Sequence, residues 1–138
     1  MSLTRYDRLL RIADRLAKVA AGSVLADQAI HEAVGRPSSV QPYTTSEASA
    51  RTLLPAGFER LDMTPTAGWV YAPCRRAGIG ADGMAYPHHG QWGRTIPLSL
   101  CGGVLRAWAM LECQARYQTS QPRSPAWQLW LLGCHYIT

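Results

Sequence analysis

The residues of this chain with the widest chemical reach are its four cysteines and four histidines. Cys74, Cys101, Cys113 and Cys134 contain no C-x-x-C pair, and His88-His89 is an isolated doublet. Structural zinc takes ligands in short pairs two to four residues apart. The spacings here do not follow that rule, and the side chains of adjacent histidines diverge. The sequence therefore predicts no metal site and no cofactor. A nucleophilic dyad needs a thiol beside a base that accepts its proton. Cys74 or Cys101 could find such a base in His31, His88 or His89 only through folding. Cys74 precedes Arg75-Arg76, whose charge would lower its pKa. Cys101 falls on an apolar helical face, which favours packing. Glu59, Asp62, Asp82 and Glu112 form no recognisable acid–base pair, so no catalytic residue is assigned.

Gly78-x-Gly80-x-x-Gly83 has the spacing of a dinucleotide-binding loop. No strand–loop–helix crossover surrounds it, so a glycine-rich, mobile loop over residues 75–83 is the better account. Arg75-Arg76 lies near Trp69, Tyr71, Tyr86 and Trp92, a set that would suit a basic, aromatic surface for nucleic acid. Near the C-terminus, Trp127 and Trp130 are the other binding candidates, because Trp and Arg are favoured at interface hot spots. The plainer account has those tryptophans folding back onto the chain's own core.

These residues need a scaffold. With 138 residues, 47% hydrophobic and 17% charged, the chain suits one domain with its own core and is not disordered. Net charge is +5, from 14 Lys+Arg against 9 Asp+Glu, and Lys18 is the only lysine. Arginine surfaces serve nucleic acids or acidic proteins, although no run of five or six basic residues occurs. The N-terminus is charged and lacks the apolar stretch of a signal peptide, and no uninterrupted apolar run is long enough to span a bilayer. The expectation is a cytoplasmic protein with free thiols and no membrane partner.

Amphipathic spacing predicts helices over 4–20 and 24–34, the second closed by Gly35 and Pro37. Thr44 and Glu47, at capping-box spacing, predict a short third helix stopped by Pro55-Ala56-Gly57. Three strands follow, beginning at Phe58, at Trp69-Val70-Tyr71 and, after an Asp82-Gly83 turn, at Met84-Ala85-Tyr86. A fourth helix starts at Thr95 and Pro97 and runs to about Tyr117. Its Gly102-Gly103 pair costs roughly 1 kcal/mol per glycine relative to alanine, which points to close backbone packing on the sheet. Residues 126–134 fit a helix and a strand equally well.

The order Ala33-Val34-Gly35, Pro42-Tyr43-Thr44-Thr45-Ser46, Leu53-Leu54-Pro55-x-Gly57-Phe58 and Arg94-Thr95-Ile96-Pro97-Leu98-Ser99-Leu100 resembles the phage ABA-sandwich domain family over residues 43–108. That family carries a Tyr-Ser/Thr-Thr helix start, a Leu-Val/Leu-Pro-x-Gly stop and a Thr-Pro-Ala-Leu-Ala-Leu-like last helix. Gly102-Gly103 and Ile96 depart from it. The resemblance implies a small sheet packed with helices, phage or prophage origin and no assigned activity.

The expected fold is α+β: N-terminal helices over 1–36, a core over 43–117 with a small antiparallel sheet of about three strands in an α/β/α-type sandwich, and a Trp-rich extension over 118–138, all in one domain. The expected function is non-enzymatic binding of a macromolecule, in its sharper form inhibition of a host defence complex in the manner of an anti-CRISPR protein. The candidate residues are Arg75, Arg76, Trp127 and Trp130. The alternatives are a nucleic-acid-binding module and a Cys-dependent enzyme.

Overall fold

The computed structural model describes residues 3–120, with side chains through residue 116. Four helices and six short strands occur among them, an α+β fold as the sequence predicts. Helix α1, Arg5–Leu16, starts where the Thr4 hydroxyl accepts from the Asp7 amide at 3.1 Å. It ends short of residue 20, because the Lys18 amide bonds to the Arg15 carbonyl and tightens the last turn. Helix α2, Val24–Val34, is capped by Ser23 and closed by Gly35 at φ 80°, a left-handed position that glycine adopts without a Cβ penalty.

Helix α3, Glu47–Arg51, is capped by Ser46 and not by Thr44. Thr44 is buried. Its amide and hydroxyl both donate to Asp27 Oδ1, at 2.8 and 2.7 Å. A partner 17 residues away thus overrides the local capping-box spacing. Helix α4, Ile96–Ser120, begins with the Thr95 hydroxyl accepting from the Leu98 amide and with Pro97 in its first turn.

Helix α4 is the middle layer. Helix α1 packs along one side of it and both sheets pack on another. Leu98, Leu100, Cys101, Val104, Leu105, Ala107 and Ala109 are therefore all buried, where an ordinary surface helix would bury one stripe. By length and composition the Ile96–Arg116 stretch could cross a membrane, although the sequence shows no uninterrupted apolar run; in the fold, 56% of its apolar window is buried.

The strands form two antiparallel sheets where one was expected. One holds β1 (Phe58–Arg60), β4 (Cys74–Arg76) and β5 (His88–His89), in the order β1-β4-β5. The other holds β2 (Thr64–Thr66), β3 (Trp69–Tyr71) and β6 (Trp92–Gly93), in the order β2-β3-β6. Residues 75 and 76 belong to β4, so the 75–83 link begins as strand. Met84-Ala85-Tyr86 is not a strand. A single Ile79–Ala85 bridge closes a turn in which the Met84 amide bonds Asp82 Oδ1. The Ser99 hydroxyl joins both sheets to α4, accepting from Ala72 N and donating to Gln91 O, each at 2.7 Å.

Candidate binding surface

Side chains alternate across a strand, and the buried Cys74 fixes which face of the first sheet meets α4. Phe58, Cys74, Arg76 and His89 lie on the inner face, and Glu59, Arg75 and His88 on the outer. Arg75 and Arg76, expected to act together, therefore point opposite ways. The Arg76 guanidinium sits between Phe58 and Tyr86, 5.7 and 5.2 Å from their ring centroids. With His89, Met110 and Leu111 it lines a cleft of about 20 Å³, room for one water. That placement makes Arg76 a cover over the core edge. Arg75 lies with its Nε 3.6 Å from Glu59 Oε1, and that Nε is shielded with no hydrogen-bond acceptor.

In the second sheet, Val70 and Gly93 face inward. Gly93 is pressed against α4 so closely that an added Cβ would lie 2.7 Å from the Ser99 amide nitrogen. Trp69, Tyr71 and Trp92 consequently face outward, beside Thr64 and Thr66. Tyr71 meets Trp92 at 5.3 Å between centroids and rests on Gly90. His88 contacts the Tyr71 ring edge-on at 6.1 Å, which joins the outer faces of the two sheets. The Arg94 guanidinium stacks 4.2 Å over Trp69. Trp92 is 43% exposed. Of the rings grouped from the sequence, Trp69, Tyr71 and Trp92 come together and Tyr86 does not. Arg94 and His88 complete the surface, beyond the rings the sequence groups; the two-residue step from Trp92 to Arg94 is the period-2 signal that puts them on one face.

The thiols are arranged for packing. Burial pushes Cys74 up from its ordinary 9.0 to about 12. Arg75 does not lower it, since neighbours along a strand face opposite sides. Burial, and then the Asp27 carboxylate, also push Cys101 up, and its thiol donates to Tyr43 O at 3.2 Å. Cys74 lies opposite His89 in the β4–β5 register, yet no hydrogen bond joins them. His89 is shifted down by burial and then by His88. Cys113 is disulfide-bonded, so among the described residues the expectation of free thiols holds for Cys74 and Cys101. Among the described residues no three His, Cys, Asp or Glu side chains cluster as metal ligands would. No helix follows the 78–83 glycines, which form a turn. Trp127 and Trp130 lie outside the described residues. Comparison with known families, with curated proteins and with solved structures finds no match.

Proposed function

We propose that the chain is a non-enzymatic phage or prophage accessory protein that binds another protein through the outer face of its sheets. The carrying observation is the set Trp69, Tyr71, Trp92 and Arg94 on the outer face, with Trp92 and Arg94 exposed and Trp69 and Tyr71 half-buried. Tyr, Trp and Arg are the residues enriched in the desolvated centres of interfaces. Single-stranded nucleic acid would also stack on such rings, but it needs a positive groove to track its backbone. Glu59 partly neutralises Arg75, which leaves Arg94 as the one unpaired guanidinium on this face among the described residues. That charge balance favours a protein. Buried thiols with raised pKa hold almost no thiolate at neutral pH, which disfavours a cysteine enzyme.

The resemblance to the phage ABA-sandwich family supports the wider setting. A component of a host defence complex, met in the bacterial cytoplasm, is the partner this reading favours. The test is capture of a partner from host extract followed by titration of the purified pair. Trp92→Ala and Arg94→Ala should each weaken binding about tenfold or more, a hot-spot loss near 1.4–2 kcal/mol. Undiminished binding by the double variant would reject this surface. Binding of single-stranded DNA or RNA that falls steeply with salt would replace the protein with a nucleic acid.

A further inference from the structure

Helix α1, packed along α4, carries a second surface. Its core residues Leu9, Ala13 and Leu16 are buried. Arg8, Arg11, Arg15 and Lys18, the last just past the helix end, are all exposed. Steps of three, four and three residues set these four within an arc of about 80° and spread them over about 15 Å of helix axis. Among the described residues none of the four makes an ion pair, whereas Arg5, Arg51, Arg60, Arg75 and Arg106 do. The carboxylates nearby are few. Asp14 is offset by Arg106 at 2.8 Å, whereas Asp7, which accepts the Thr4 hydroxyl at 2.7 Å, keeps its charge. Glu32 of α2 faces Arg8 and Arg11 across a cleft of about 240 Å³. Positive charge remains in excess along the stripe.

We infer that this stripe binds the phosphate backbone of a nucleic-acid duplex, independently of sequence. Cations spaced about 5 Å apart along 15 Å suit a polymer that presents a phosphate every few ångströms. The two other polyanionic partners fit less well. An amphipathic helix binds an anionic lipid surface by inserting its apolar face, and that face of α1 is locked against α4. An acidic protein would need a desolvated anchor, and the stripe contains no aromatic ring. The inference stands apart from the proposed protein-binding role, since it uses different residues on a different element.

The test is fluorescence anisotropy of the full chain with a labelled 20-base-pair duplex of arbitrary sequence, read from 50 to 200 mM salt. Four phosphate contacts predict a log–log slope near −3.6, a loss of about 150-fold across that range. Arg11→Gln and Arg15→Gln should each reduce the slope by about 0.9. The Arg8→Gln, Arg11→Gln, Arg15→Gln, Lys18→Gln variant should lose binding. Trp92→Ala should bind duplex as the parent does. Circular dichroism checks that each variant is folded, which exposed positions favour. No binding by the parent at 50 mM salt would overturn the inference, as would a quadruple variant that binds unchanged. Vesicles containing anionic lipid provide the competing arm. Tighter, stripe-dependent binding to vesicles than to duplex would also overturn it.

Discussion

Asp27 shows how one side chain can decide a local outcome. It is 5% exposed and takes both the amide and the hydroxyl of Thr44 on one oxygen. Asp27→Ala would leave that buried amide without a partner, so a loss of about 1–3 kcal/mol is expected in urea unfolding. Nothing near Asp27 or Thr44 in sequence announces the pair, which is why Thr44 reads as a cap. Gly35 and Thr95 were legible because their partners lie within four residues. Cys74 gives a pH prediction. Its folded pKa of about 12 exceeds the ordinary 9.0, so the unfolded chain ionises first. Its contribution is whole below pH 9 and is lost as pH rises toward 12. Stability measured over that range should fall less steeply in Cys74→Ala than in the parent, and an equal slope would contradict the burial argument.

At the scale of elements, helices were legible and short strands were not. Helix α2 is found at its expected bounds because its cap, its stop and its apolar spacing all lie in the chain itself. Strands β5 and β6 have two residues each, too few to show a period, and exist because β4 and β3 pair with them. The sequence put a strand at residues 84–86 on the strength of a real turn signal, but within 84–86 only Ala85 pairs, as a single bridge to Ile79. The Gly102-Gly103 pair is a close approach, as its sequence position implies. An added Cβ at Gly103 would lie 2.9 Å from His89 O, and one at Gly102 would overlap the Gln91 side chain. Gly103→Ala should therefore destabilise by about 1–3 kcal/mol, despite the roughly 1 kcal/mol that alanine gains in an isolated helix. A raised melting temperature would refute the contact.

For the whole molecule, layer order was the least legible feature. Composition and periodicity say that α4 is apolar, but not that it lies between α1 and two sheets. The candidate surface was half legible for the same reason. Trp69, Tyr71 and Trp92 were visible as a group, whereas sheet register set Arg94 and His88 beside them and turned Arg76 away. The two proposed faces share no residue, one lying on the sheets and the other on α1.

Gln91 ties these layers together. Its backbone carbonyl accepts from Ser99, its amide nitrogen reaches across α4 to Ala13 O in α1 at 2.7 Å, and its amide oxygen accepts from Arg106 at 2.8 Å. The gap it crosses is the one left by the missing Cβ of Gly102. A helix on a smooth apolar bed can shift by a turn at little cost. Here a polar side chain seats in the notch at Gly102. Sliding α4 so that Cys101 took the place of Gly102 would drive a side chain into that notch and break the hydrogen bonds of Gln91. The chain therefore fixes the axial setting of its longest helix by omitting one methyl group.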